Sequence, residues 1–189
     1  MKLRNKYYIL RHGEAMSNVK RVVSSWPEKF YNPLTKRGRE MIRESAEILK
    51  SKNIVLIFAS PLLRTRQTAQ IGGKALGIKP KFDKRLEEIG FGIFNSKSIF
   101  DFHEQFKKEE TRIKQSVSKG ETYTHLLERV FGFLKDMDKK YKGKNILIIS
   151  HECPLFFLEG KVRGFSLAET IKNGPFEKRI HKGELRELN

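Results

Sequence analysis

The chain has 189 residues, 38% hydrophobic and 32% charged, which suits one globular domain (1–189) built around a single sizeable core. Its one cysteine, Cys153, excludes an internal disulfide and a thiolate metal site, and no apolar stretch reaches the ~20 residues that cross a bilayer. The formal charge of +17 draws anions in general, but the basic residues are scattered and come with no nucleic-acid-binding motif, so charge alone names no partner.

In chain order, the basic stretch Met1 to Lys6 precedes a short apolar run, Tyr7-Tyr8-Ile9-Leu10. That run is too short for the core of a signal peptide, so a cytoplasmic, non-membrane protein is expected. It reads instead as a buried strand ending at Arg11-His12-Gly13-Glu14. From Thr35 to Lys50, Met41, Ile42, Ala46, Ile48 and Leu49 recur at helical spacing, with Thr35 placed to cap the first turn. Residues 54–59 form a β-rich apolar run bounded by Asn53 and Ser60-Pro61, as in a central parallel strand. A helix is predicted from about Leu63 to Leu76, stopping at Gly77.

The stretch from about Ser98 to Tyr141 reads as two helices broken near Lys119-Gly120. On the second, Tyr123, Leu126, Leu127, Val130, Leu134 and Met137 share a face. Asn145 to Ile149 is a further buried strand, followed at once by His151, and a weak last strand is predicted near Phe176 to Ile180. Strands alternating with helices give an α/β fold: three layers, α/β/α, around a mostly parallel sheet, with a helical lid segment over about 92–141. An apolar strip at Phe100, Phe102 and Phe106 fits a lid, a core or an interface.

The chemistry concentrates at strand ends. His12 with Arg11, Arg64 in Ser60-Pro61-Leu62-Leu63-Arg64-Thr65-Arg66, and His151 all follow buried strands at the sheet edge where parallel sheets bind ligands. Two imidazoles and two guanidiniums suit an anion, because the arginine fork matches phosphate oxygens bidentately. Neutral imidazole is a competent nucleophile toward a phosphoryl group. Zinc is disfavoured, since the arginines repel a dication and no further ligand spacing completes a site. A leaving oxygen also needs a proton, and Glu87 or Glu88 is the available acid. His103 and His125 read as structural or exposed.

Tyr8 to Glu14 with Ser17-Asn18 resembles the signature of the histidine phosphatase superfamily, which includes the phosphoglycerate mutases. Pro33 to Gly38, Ser60 to Ala69, Gly120-Glu121-Thr122 and Ser150-His151 are similar to its later motifs, in order, up to about Gly174. The resemblance implies that His12 is phosphorylated, that Arg11, Arg64 and His151 hold phosphoryl oxygens, and that Glu88 is the acid. It also implies phosphate binding by Asn18, a place for Ser24 near the substrate, and no metal or organic cofactor. The helical segment from about Ile99 to Tyr141 would supply part of the pocket roof.

The expected activity is hydrolysis of a phosphomonoester, on a small molecule or a phosphoprotein. A mutase and a catalytically weak phosphoanion-binding module are the alternatives. Glu152 departs from the family, which carries a small residue after the second histidine; a carboxylate there repels phosphate unless it points away or pairs with an arginine.

Overall fold

The computed structural model describes residues 2–174 and 178–189. Strands β1 (Lys6–Arg11), β2 (Leu56–Ala59), β3 (Lys81–Phe82) and β4 (Asn145–Ser150) are parallel, and β5 (Leu185–Glu187) is antiparallel to β1. They form one sheet in the order β3-β2-β4-β1-β5. The run at 54–59 was expected at the centre; β2 lies one place off it, and β4, bonded to β1 on one side and β2 on the other, is central.

Because side chains alternate along a strand, β1 and β4 each feed two cores. Tyr7, Ile9, Ile146 and Ile148 pack on one face with Val130, Phe133 and Leu134 of α5 (Tyr123–Lys140) and Leu155 and Leu158 of α6 (Glu152–Val162). Tyr8, Leu10, Leu147 and Ile149 pack on the other with Leu49 of α2 (Lys36–Lys50) and Ala69 of α3 (Leu63–Leu76). These are the three layers the sequence predicts. The Thr35 hydroxyl accepts from Gly38 N at 2.9 Å, capping α2 as expected, and α3 ends on Gly77 in the left-handed conformation. Among the described residues no helix is long and apolar enough to cross a membrane.

The middle segment departs from expectation. Its first predicted helix is only the six residues of α4 (Ile99–Glu104), followed by irregular chain and a 3-10 turn at Glu109–Ile113. The polar run from Lys107 to Glu110 offers no apolar stripe to extend it. The break does fall near Lys119-Gly120, where Lys119 has φ 58°. Of the segment expected over the pocket, α5 packs into the main core. The aromatic strip also divides, with Phe102 buried, Phe106 intermediate and Phe100 57% exposed. Of the strand predicted near 176–180, Phe176 and Glu177 lie outside the described residues, and Lys178 to Ile180 form no strand: the backbone there turns instead of extending, Arg179 and Ile180 are buried, and the Ile180 carbonyl accepts from the Arg11 side chain rather than from a neighbouring strand.

Gly13 and Gly38 bring the loop after β1 against the first turn of α2. A Cβ on Gly13 would collide with the Gly38 carbonyl, and one on Gly38 with the Glu14 carbonyl. Both obstacles are backbone and cannot swing aside. Gly38→Ala is therefore expected to lower unfolding stability by about 1–3 kcal/mol, the usual scale of overpacking, as read by urea titration; unchanged stability would show that the contact is not tight.

Candidate active site

The pairing of β1 with β4 sets the site. Arg11 stands opposite Ser150, so one residue further on both chains His12 and His151 leave the ladder together. His12 N donates to Ser150 O at 3.1 Å, and the two imidazole centroids are 5.2 Å apart in an edge-on arrangement. β2 ends one residue before Ser60, and Arg64 lies in the first turn of α3 behind it. His12, Arg64 and His151 are all buried, at 3%, 2% and 0% exposure.

Hydrogen bonds fix the state of His12. Its Nδ1 faces the Gly13 carbonyl at 2.7 Å, which can only accept, so the proton sits on Nδ1. Its Nε2 then carries the lone pair, which accepts from Arg64 Nε at 3.1 Å. Burial, reinforced by the charges of Arg64 and Arg11, pushes the His12 pKa well below the usual histidine value, so the ring is neutral at physiological pH. His151 is depressed by the same forces, burial first and then Arg64. Its Nε2 is 2.8 Å from Ser60 Oγ, which itself accepts from Leu62 N at 3.4 Å. The serine hydrogen is thereby free to point at His151 Nε2, which leaves a proton on Nδ1, a buried atom with no partner among the described residues.

The arginines are held by acceptors that leave part of each fork unspent. Arg64 Nη2 donates to Ser24 O at 2.9 Å, and Nη1 lies 3.6 Å from Glu28 Oε1, an ion pair too long for a hydrogen bond. Burial lowers the Arg64 pKa to about 10, opposed chiefly by Glu88, so the side chain remains a cation at neutral pH. Arg11 Nη1 donates to Ile180 O at 2.9 Å and contacts Glu152 Oε2 at 2.6 Å, while its buried Nε has no partner among the described residues. A buried donor without an acceptor is costly, and several converging on one cavity are what an incoming oxyanion would satisfy.

That cavity measures about 260 Å³ and is bordered by Arg11, His12, Arg64, Glu88 and Glu152, but not by Glu87 or by His151, which lies fully buried behind it against His12. Glu87 instead faces a second recess beside Trp26 and His125, which Glu88 also borders. Arg129 of α5 fixes this loop by its backbone, donating to the carbonyls of Glu87 at 2.8 Å and Glu88 at 3.1 Å, so neither carboxylate is tied to it. Burial raises the Glu88 pKa above the ordinary carboxylate value, opposed by the Ile89 amide and by Arg64. Asn18 borders the cavity with Oδ1 accepting from Ala15 N at 2.9 Å. Ser24 also borders it, but its hydroxyl accepts from Asn32 and its carbonyl supports Arg64.

The model of the histidine phosphatase superfamily (branch 1) matches residues 7–174. The chain belongs to that family. It is 30% identical over 165 residues to a protein of Escherichia coli named Probable phosphoglycerate mutase GpmB, covering 83% of this chain and 74% of the relative. An Enterobacter protein of the same name is 32% identical over 166 residues, with the same coverage. Among solved structures, a mycobacterial glucosyl-3-phosphoglycerate phosphatase complexed with VO3 superposes with TM-score 0.81 at 18% identity, covering 96% of this chain and 91% of that one. The alpha-ribazole phosphatase of Shigella flexneri superposes with TM-score 0.78 at 23% identity, covering 95% and 88%. These superpositions show the histidine phosphatase fold.

Several cavity residues carry no signal in the sequence. Arg112 is buried among the rings of Phe102, Phe106 and Tyr123, its guanidinium 4.3 Å from the Tyr123 centroid, yet it sits in an unremarkable polar run. Arg179 and Lys182 arrive from a distant part of the chain, and Arg21 from the loop after α1 (Met16–Val19). His103, expected to be structural or exposed, is exposed and also borders the cavity. Cys153 borders it too, but burial pushes its thiol pKa well up, so it is no nucleophile at neutral pH. Among the described residues no cluster of three His, Cys, Asp or Glu side chains is placed to hold a metal ion.

Arg64→Lys retains a charge but cannot reach His12, Ser24 and Glu28 at once from one nitrogen. Its affinity for inorganic phosphate, measured by titration calorimetry, is expected to fall about 10- to 100-fold, the scale of one or two charge-assisted hydrogen bonds. Unchanged affinity would place the anion elsewhere.

Proposed function

We propose that the chain is a phosphomonoesterase that forms a transient phosphohistidine on His12. The observation that carries this reading is the state of His12: buried, neutral, with its proton held on Nδ1 and its Nε2 lone pair beside the Arg64 guanidinium. In the first step Nε2 attacks phosphorus and the phosphorus–oxygen ester bond breaks. The departing oxygen takes the proton of Glu88, which its surroundings keep protonated to higher pH than an ordinary carboxyl. Arg11 and Arg64, which border the cavity, and His151, packed beside His12, receive the equatorial oxygens, so the spreading charge is met by cations and a neutral imidazole. In the second step water attacks the phosphohistidine, Glu88 takes a proton from it, and inorganic phosphate leaves.

Asn18 belongs to the phosphate-binding wall in this scheme, and Ser24 acts by holding Arg64. The substrate class is a phosphorylated small molecule, in keeping with a cavity of about 260 Å³. A mutase reading draws support from the name of the curated relatives. Stimulation by a bisphosphorylated sugar acid, with the product isomerised rather than hydrolysed, would establish it instead.

Incubation with a labelled phosphomonoester is expected to leave acid-labile, base-stable label on the protein, and His12→Ala to abolish label and turnover together. Turnover that survives in this variant would sink the covalent route, and phosphate binding without turnover in the parent would make the chain a binding module.

The pH profile follows from the two shifts. Lowered in pKa, His12 stays unprotonated until the pH drops well under 6.5, so the acid limb lies low. With its pKa raised, Glu88 keeps its proton above the usual carboxylate range and loses it as pH climbs through the shifted value, which makes kcat fall on the alkaline side. Glu88→Gln is expected to remove that alkaline limb and to lower kcat on an alkyl phosphate by about 10²- to 10⁴-fold. The loss should be smaller on a nitrophenyl ester, whose leaving group needs no proton. An unchanged alkaline limb would assign it to another group.

A further inference from the structure

Glu152 stands immediately after His151, as the first residue of α6, where unpaired helix amides favour a carboxylate. Its Oε2 is 2.6 Å from Arg11 Nη1, and its Oε1 is 3.5 Å from Arg179 Nη1. Arg179 is itself fixed: Nη2 lies 2.6 Å from both oxygens of Glu109, which also accepts from the Tyr123 hydroxyl at 2.9 Å, and the guanidinium lies 4.5 Å from the Phe156 centroid. The carboxylate therefore joins the phosphate-facing arginine to a braced wall of the cavity.

Which nitrogens it engages decides what it does. On Arg11, Glu152 and the Ile180 carbonyl both use Nη1, and Nε is left buried with no partner among the described residues. Oxyanions are best bound by two parallel N–H groups, and the Nε side of the guanidinium offers such a pair. A carboxylate competing with phosphate would take that side; this one takes the opposite corner. Nor does it make the cavity anionic, since Arg21, Arg112, Arg179 and Lys182 border it as well.

We propose that Glu152 is a positioning residue, holding the Arg11 guanidinium by Nη1 so that its Nε edge faces the phosphoryl oxygens, rather than a carboxylate that repels substrate. This rests on the phosphate-site reading above, and the test separates the two. A long, flexible arginine gains most from a second anchor when it must present one edge, because the anchor removes rotamer freedom before the anion arrives.

The experiment is a double-mutant cycle on inorganic phosphate affinity, using the parent, Glu152→Ala, Arg11→Ala and the double variant, with kcat and KM in parallel. Glu152→Ala is expected to weaken phosphate binding about tenfold and to raise KM more than it lowers kcat. Glu152→Gln retains an amide oxygen for Arg11 and is expected to recover affinity to within about threefold of the parent, which also guards against a folding defect in the alanine variant. In the Arg11→Ala background, removing Glu152 should cost nothing further, because a residue that acts through Arg11 has nothing left to position.

Phosphate binding in Glu152→Ala as tight as in the parent, or tighter, would overturn the proposal. So would an equal loss in both backgrounds. A parent that binds phosphate but turns over no ester, with the same cycle energetics, would sustain the role of Glu152 while refuting the enzymatic reading.

Discussion

Everything at the site depends on how β1 is registered against β4. Parallel pairing of Arg11 with Ser150 brings two histidines out of the sheet side by side, and the pairing of Ala59 with Ile149 delivers Ser60 to the same edge. A slip of one residue would turn every side chain of β1 to the wrong face, exchanging Tyr7 and Ile9 with Tyr8 and Leu10. The apolar side chains of both cores therefore lock the register, and the chemistry inherits its accuracy from packing. Arginines and imidazoles alone could not hold such a geometry, since they repel one another when charged.

The second constraint is electrostatic. Cations withdrawn from water need partners, and here the partners are placed behind them: Glu28 and the Ser24 carbonyl for Arg64, Glu152 and the Ile180 carbonyl for Arg11, Glu109 for Arg179. The histidines balance the arrangement by staying neutral. Burial thus does two things at once: it keeps the imidazoles neutral, which leaves a lone pair on His12, and it raises the Glu88 pKa above the ordinary carboxylate value. The same low-dielectric setting creates a base-like nitrogen and an acid-like oxygen in one cavity.

The layers and the strand-end histidines were legible in the sequence because they rest on local signals: the continuous apolar runs of the buried strands, the Thr35 cap, the Gly77 stop and the short motifs at 11–14 and 60–69. What could not be read depends on contacts between distant residues. Arg112 looks like any surface arginine until Phe102, Phe106 and Tyr123 fold around it. Glu152 reads as a repulsive carboxylate in the sequence because its partners, Arg11 at 2.6 Å and Arg179 at 3.5 Å, lie 141 and 27 residues away along the chain. The helix expected after Ser98 stops at α4 for a similar reason, since the aromatic residues up to Phe106 pack around Phe102 and the polar run from Lys107 to Glu110 that follows carries no apolar stripe to continue it.

The stretch from Lys178 to Asn189 lies beyond the span matched by the family model, yet it is bound into the centre of the molecule. Gly183 N donates to the carbonyls of Arg11 and His12, β5 covers the free edge of β1, and the Asn189 side chain bonds to Tyr7 N and Asn5 O. A ribosome making this protein has therefore synthesised both histidines and Arg64 well before the residues that buttress them. Until this stretch docks, β1 is an open sheet edge, the kind of surface on which chains pair with one another. Docking of this stretch completes the support of the site and covers the edge of β1 in a single event, and a nick in it would undo both.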